Sequence, residues 1–426
     1  MATDLIASSP WSIEPARPGE PIQRWSSRAT TVEEVHRELA RIWSVPRLAV
    51  EVDGREERHI AARTSVLNLV VVARRPEIAI GAADTIRRLS GRHPSRTLIV
   101  IPLDPDGPSW LDARITAVCI LPRDDAPETC VEMLDLHAGG EAGRHPAAII
   151  APLLVHDLPV TVWWPGEVPF KQPMAIDVFA LADRLVVDGS TWSGDGLRQL
   201  AHLAQLLERE GLTVSDFALD RQARWREAIA SVFDMPEFLP YLRSLRRISI
   251  TYVTHDDRGA PGATNIVKPV YHVAWLASRL GLRVTRPLAP VGASGGTRMV
   301  GGRAAPMHDG LEATLRGAHD VAVAIRPVRS AAPAGTTLHV ELVCERRGSE
   351  MRADISAEAE NVMVNVSLDG VDRLERAFRA QRKTDVDLLT EALEEGGRAT
   401  VTSDAIRFAS LLAAAGIEGS LPSTRR

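Results

Sequence analysis

His137, Glu141 and His145 recur every four residues. On a helix that spacing would stack two imidazoles and a carboxylate on one face, a donor set suited to zinc. Gly139, Gly140, Gly143 and Pro146 interrupt the stretch and predict a break, so no metal site is expected. The run VGASGGTRMVGG, Val291 to Gly302, has glycines enough for backbone N–H groups to approach a phosphate. However, Gly296 is followed by Thr297 and Arg298 where a P-loop carries lysine. With Arg298, Arg303 and His308 it is the one place for the alternative reading, a sugar-phosphate enzyme of lactonase or isomerase type on an α/β core. His255-Asp256-Asp257 precedes Arg258-Gly259 and reads as a polar turn. The chain has no Gly-x-Ser-x-Gly elbow, and spacing sets no two carboxylates as an acid–base pair. The sequence assigns no catalytic residue, cofactor-binding residue or metal ligand.

Cys119, Cys130 and Cys344 form no CxxC pair, and three is an odd number for a disulfide framework. Cys119 and Cys344 lie in apolar strand patterns and read as buried, reduced thiols. Cys130 has no basic neighbour to activate it.

The elements that would position these residues follow from periodicity. Residues 1–30, rich in Pro, Ser and Arg, read as an extended arm pinned by Trp11 or Trp25. Thr31-Val-Glu-Glu34 is a capping box opening a helix over 32–43, and the polar residues 46–60 read as a connection. Ser65–Ala73 and Thr97–Leu103 are nearly continuous apolar runs, expected of strands buried on both faces, with a helix from Pro76 between them. Strands over 112–121 and 128–136 flank the turn Asp124-Asp125-Ala126-Pro127 as an antiparallel pair. Helices over 146–155 and 173–182 alternate with the strands PVTVWW and RLVVDG. That alternation predicts a three-layer α/β domain with a mostly parallel sheet.

Beyond Ser193 the pattern changes. Helices are expected over 195–210, 220–233 and 269–280, with a strand at Ile248–Val253. Leu338 to Leu368 alternates apolar and polar residues across three strands, a β-meander with one wet face, and strands over 311–316 and 320–326 extend it. Helices over 385–395 and 403–415 follow. The second domain is therefore α+β, an antiparallel sheet covered by helices. The expected organisation is an arm and helix (1–50), an α/β domain (51–192) and an α+β domain (193–426).

HDLPVTVWWPGEVPF (156–170) sets two adjacent tryptophans at a strand end, then a stiff turn. Neighbours on a strand face opposite ways, so a central strand covered on both sides buries both rings. The loop also follows the carboxyl end of a parallel strand, where α/β proteins place functional loops. Trp163, Trp164, Pro165, Gly166, Glu167 and Phe170 are therefore candidates for a partner-binding lip. Arg352, Asp354, Glu358, Asn361 and Asn365, on the wet face of the meander, are candidates for a second surface.

Net charge is −5 with both signs interspersed, not the clustered basic face that nucleic acid requires. The chain shows neither an 18-residue apolar span nor a basic, apolar leader at its start, which predicts a cytoplasmic protein with no membrane partner. The turn after the first buried strand, Ala73-Arg74-Arg75-Pro76-Glu77, has no glycine to let a pyrophosphate approach.

Four blocks occur in order: LNLVVVA (67–73), HPSRTLIV (93–100), LLVHDLPVTVWWPGEVPF (153–170) and LADRLVVDGS (181–190). They resemble the glucose-6-phosphate dehydrogenase assembly protein family, OpcA, over roughly residues 30–190. The resemblance implies a non-catalytic cytoplasmic protein without cofactor. Its partner would be glucose-6-phosphate dehydrogenase, the NADP-dependent first enzyme of the oxidative pentose phosphate pathway of carbohydrate metabolism. Its role would be assembly and allosteric activation through protein–protein interaction.

Overall fold

The computed structural model describes residues 19–44, 48–52, 55–59, 62–89, 91–121, 129–208, 212–254, 264–291, 297–300, 303–306, 309–395 and 400–418. Asp124–Pro127, His255–Gly259, His308 and Trp11 lie outside the described residues. The chain forms two compact units. The first comprises Met1–Val187, Gly211–Thr213 and Thr384–Gly396; the second comprises Asp188–Glu210, Val214–Lys383 and Gly397–Arg426. The helix Asp385–Glu394 packs back on the helix Pro76–Leu89 of the first unit. A division into consecutive segments, 51–192 then 193–426, has no way to represent that return.

The strands of the first sheet are β1 (Pro21–Ala29), β4 (Ala62–Arg63), β5 (Leu67–Val72), β6 (Ser95–Pro102), β7 (Trp110–Ile120), β8 (Thr129–Gly139), β9 (Val160–Trp164), β10 (Arg184–Val187) and β11 (Thr213–Asp216). β2 (Leu48–Val52) and β3 (Arg55–His59) form a separate hairpin where the sequence predicted only a connection. The sheet order is β1-β7-β8-β6-β5-β9-β10-β11. Parallel pairing joins β8 to β6, β6 to β5, β5 to β9 and β9 to β10. From β8 to β11 this is the 3-2-1-4-5-6 order of a doubly wound sheet. Every residue of β5 is buried, as a strand covered on both faces requires. Its one polar residue, Asn68, is satisfied: Nδ2 donates to the carbonyls of Val155 (2.9 Å) and Leu158 (3.2 Å), and Oδ1 accepts from Val155 N–H (2.7 Å).

The N-terminal arm is in part an edge strand. β1 pairs antiparallel with β7, and Trp25 is buried. At the first helix, Val32–Ser44, Thr31 Oγ1 accepts the Glu34 N–H at 3.1 Å, while the Glu34 carboxylate reaches past the box to Thr30 N (2.8 Å).

The second sheet comprises β12 (Leu245–Thr254), β13 (Arg283–Val291), β16 (Gly310–Arg316), β17 (Asp320–Arg329), β18 (Thr337–Arg346), β19 (Ser349–Glu358), β20 (Asn361–Leu368) and β21 (Val371–Arg379). Its order is β13-β16-β17-β12-β18-β19-β20-β21. β12 is parallel to β17, and the other neighbouring pairs are antiparallel. One face is apolar, with Ile248, Ile250, Leu342, Ala353, Ile355, Val364 and Val366 buried. The helix Ala223–Phe233 packs against β19, β20 and β21. β14 (Thr297–Val300), within the glycine-rich stretch, and β15 (Arg303–Pro306), just after it, form a hairpin. Among the described residues no helix is long and apolar enough to cross a membrane.

Candidate functional site

A doubly wound sheet binds ligands outside the carboxyl ends of its strands, where the order reverses. Here that place follows β5. Arg74 and Arg75 are exposed, and Pro76 begins the helix, so the first helical position offers no N–H to an anion. A cavity of about 290 Å³ remains, lined by Arg74, Pro102, Arg144, His145, Gln172 and Met174 among others. Ligand pockets run from about 300 to 1,000 Å³, so this one is at or below the lower limit.

The neighbouring turn corrects one expectation. Gly140–Arg144 is helical despite its glycines. Gly140 has φ +56°, and a Cβ there would sit 2.6 Å from the Gly107 carbonyl oxygen; at Gly143 it would meet the Ala138 oxygen at 2.7 Å. These glycines permit close packing of backbone on backbone. Glu141 accordingly reaches His145 (3.4 Å), which also faces Asp177 (3.6 Å), while His137 stays on β8. Among the described residues no group of three His, Cys, Asp or Glu side chains could hold a metal ion.

The tryptophan lip needs a larger correction. Trp163, Trp164 and Phe170 are buried. Trp164 and Phe170 both pack on Phe179, with ring centroids 5.8 and 6.2 Å apart. β9 is central, between β5 and β10, and every one of its residues is buried, so both of its faces are covered and neither indole is offered to a partner. Glu167 is exposed and Pro165 and Gly166 are half-buried, so the turn alone remains at the surface.

The second candidate surface is coherent. Register sets Ser249, Glu341, Asp354, Asn365 and Glu375 side by side across five strands of the second sheet. Arg352 donates to Glu341 (2.6 Å) and Glu350 (3.2 Å), and His339 faces Asp354 (3.0 Å). Glu358, Asn361 and Asn365 are exposed. On the same face a depression of about 530 Å³ is floored by Ser249, Ala322 and Ala324 and edged by Arg247, Arg286 and Arg326.

A third cluster lay beyond sequence reasoning. Asp188 accepts from Ser190 N (3.1 Å), Ser190 Oγ (2.5 Å) and Arg221 Nη1 (2.7 Å). Asp216 accepts from Gly189 N (2.8 Å), Ala218 N (2.8 Å) and Tyr271 Oη (2.7 Å). Burial pushes the Asp216 carboxyl up to about 6 against those hydrogen bonds. Asn265 ties the same loop to the helix Val267–Arg279 through the carbonyls of Gly189 and Trp192. The available signal was an aspartate after the apolar run LVV, and another closing the short β-branched segment TVSD.

The cysteine reading is also corrected. Antiparallel pairing of β7 with β8 sets Cys119 opposite Cys130, Cα atoms 4.0 Å apart, and they form a disulfide. Cys344 is free and buried, and burial pushes its thiol up to about 12. Thiol titration should therefore find essentially none in the native protein, one after denaturation alone, and three after denaturation with reduction. Three without reductant would refute the pairing.

These features define a two-unit α/β protein with a doubly wound skeleton and a closed phosphate turn. Residues 86–205 match the glucose-6-phosphate dehydrogenase subunit N-terminal domain, and residues 212–406 match the corresponding C-terminal domain. The chain belongs to the glucose-6-phosphate dehydrogenase assembly protein (OpcA) family. It is 25% identical over 190 residues to an OxPP cycle protein OpcA of Nostoc punctiforme, a match spanning 44% of this chain but only 38% of that relative. Among solved structures, an aldose-aldose oxidoreductase of Caulobacter crescentus aligns at TM-score 0.47 and 12% identity, over 83% of this chain and 97% of that one. An oxidoreductase of Sinorhizobium meliloti aligns at 0.41 and 12%, over 85% and 92%.

Proposed function

We propose that this chain is a non-catalytic assembly factor and allosteric activator of glucose-6-phosphate dehydrogenase, working in the cytoplasm by protein–protein binding. Family membership supports the partner. The observation that carries the non-catalytic reading is the β5 turn, whose Arg74-Arg75-Pro76 has no glycine to let a dinucleotide phosphate approach and no N–H at the first helical position to receive it.

An activator that does no chemistry must bind one state of its target more tightly than another. The equilibrium moves only by that difference, typically about 1–3 kcal/mol. The wet face of the second sheet, presenting Arg352, Asp354, Glu358, Asn361 and Asn365, is the proposed docking surface, with the Pro165–Glu167 turn as a second contact. Adding the chain to purified dehydrogenase should lower its KM or raise its kcat. Asn365→Arg sets a long side chain between Asp354 and Glu375, where opposite charge tolerates it but a partner's close approach does not. The half-saturating concentration for activation should rise about tenfold, a 1.4 kcal/mol effect, with Tm unchanged. An unaltered dehydrogenase at saturating chain would remove the activator reading; an unaltered Asn365→Arg titration would move the interface elsewhere.

A further inference from the structure

The depression on the wet face of the second sheet follows from two neighbouring rows of side chains. Register sets Arg247, Ala322, Thr314 and Arg286 in one row across β12, β17, β16 and β13. Two residues along the strands, Glu341, Ser249, Ala324 and Glu312 form the next row across β18, β12, β17 and β16. Each row carries long charged residues at its ends and small ones in the middle. Strands lie about 4.8 Å apart, so the Cα atoms of Arg247 and Arg286 stand roughly 14 Å apart across three strand spacings. All of these residues line the hollow, and its volume of about 530 Å³ lies well inside the range of small-molecule pockets, about 300 to 1,000 Å³.

The polar groups around the hollow are only partly engaged. Arg326, at the rim, donates through Nη2 to Glu312, and Arg352 donates to Glu341 at 2.6 Å. Arg247 brings only its Nε near Glu341, at 3.5 Å, longer than an ordinary hydrogen bond. Its terminal amino groups have no partner among the described residues, and neither has the Arg286 guanidinium or the hydroxyls of Ser249 and Thr314. Three lining guanidiniums face two lining carboxylates, which leaves an excess of positive charge. A carboxylate accepts at about four lone-pair sites, so Glu312 and Glu341 keep acceptor capacity after pairing. Free guanidinium forks suit a phosphate or carboxylate group. Spare carboxylate oxygens and hydroxyls over a small-residue floor suit the O–H groups of a polyol.

We propose that this hollow is a receptor for a small polyhydroxylated anion, a sugar or polyol bearing one phosphate or carboxylate. Arg247 and Arg286 hold the anionic group and its approach, while Glu312, Glu341, Ser249 and Thr314 take the hydroxyls. The proposal goes beyond the activator reading, because binding is read on the chain alone.

The full chain is titrated calorimetrically with sorbitol 6-phosphate and, separately, with gluconate, at constant ionic strength set with chloride. Sorbitol, inorganic phosphate and acetate serve as the separate parts. At least one of the two polyol anions should bind saturably, about tenfold or more tighter than any of the parts, and the tighter of the two identifies the anionic group. Arg286→Gln should raise that Kd by about tenfold, a 1.4 kcal/mol effect, with Tm unchanged, since this exposed side chain ties no element to another. Ala322→Leu fills the floor at an exposed position without altering a charge and should weaken binding by a similar factor. No saturable binding of either polyol anion, inorganic phosphate or acetate binding as tightly as the whole, or an unchanged Kd in either variant overturns the proposal.

Discussion

Replacing Glu132 by alanine should destabilise the first unit by about 3–5 kcal/mol, a large fraction of the total stability of a typical domain. Glu132 is fully buried on β8. One carboxylate oxygen accepts from Arg96 Nε at 2.5 Å and the other from Trp43 Nε1 at 2.5 Å. Arg96 is itself buried and also donates to the Leu153 carbonyl at 3.0 Å. One carboxylate thus joins β6, β8, the helix Val32–Ser44 and, through Arg96, the helix Pro146–Leu153. Truncating it strands a guanidinium in a dry interior, and the dominant loss is that uncompensated charge rather than the pair's net attraction. The double variant Arg96→Met/Glu132→Leu removes both charges and should lose markedly less than Glu132→Ala alone. Urea midpoints of the parent, Arg96→Met, Glu132→Leu and the double variant would decide. Additive losses would mean that the two side chains stabilise independently and that the buried pair is not the unit.

Elements with strong periodicity were legible in the sequence. Leu67–Val72 and Ser95–Pro102 are apolar on both faces because both faces are covered, and the meander alternates because one face is wet. The edges were not legible. β21 is exposed along most of its length, so Val371–Arg379 carries no alternation, and its charges discourage further pairing. β13 includes Pro287 and Pro290, which only an edge strand tolerates. Register was legible nowhere, and the site depends on register. Cys119 meets Cys130, and Asp354 meets Asn365, only once the strands are paired. The Trp163–Trp164 pair shows the other limit: alternation and the three-layer expectation pointed to both rings being buried, as they are, while the position after a strand's carboxyl end also offered them as a lip.

The Asp188–Asp216 cluster stayed hidden for a related reason. Its members come from a loop, a strand end and two helices; Ser190 and Ala218 sit two residues from their aspartates, but the Arg221 and Tyr271 side chains that complete the cluster lie 33 and 55 residues away, beyond what spacing reveals. Its electrostatics nevertheless make a sharp prediction. Asp216 and His272 are both buried, and they titrate across the same pH range with opposite effects on stability. Burial raises Asp216 to about 6 from 3.8. A carboxyl raised on folding favours the native state at low pH, and that contribution fades as pH climbs through about 6. Burial lowers His272 to about 3 from 6.5, with Arg226 and then Lys268 adding repulsion. Its native form is neutral, packed edge-on against Trp225 at 5.2 Å, and neither ring nitrogen has a partner among the described residues. A histidine lowered on folding favours the native state above 6.5, and the contribution is lost as pH falls from there toward about 3.

Between pH 7 and pH 5 acidification should therefore gain about 1 kcal/mol at Asp216 and lose about 2 kcal/mol at His272, leaving little net slope from this pair. Single variants expose the two halves. His272→Phe keeps a ring against Trp225 and removes two unsatisfied nitrogens, so it should be more stable by about 1–3 kcal/mol at pH 7. Its advantage should widen by about 2 kcal/mol at pH 5. Asp216→Asn retains an oxygen for Gly189 and Ala218 and turns its amide toward Tyr271, which can reverse its hydroxyl to accept. That variant should become more acid-sensitive than the parent by about 1 kcal/mol over the same range. Urea unfolding at the two pH values, read as differences from the parent, cancels the titration of all other groups. Parallel stability–pH curves for the parent and both variants would show that neither group titrates differently in the folded chain.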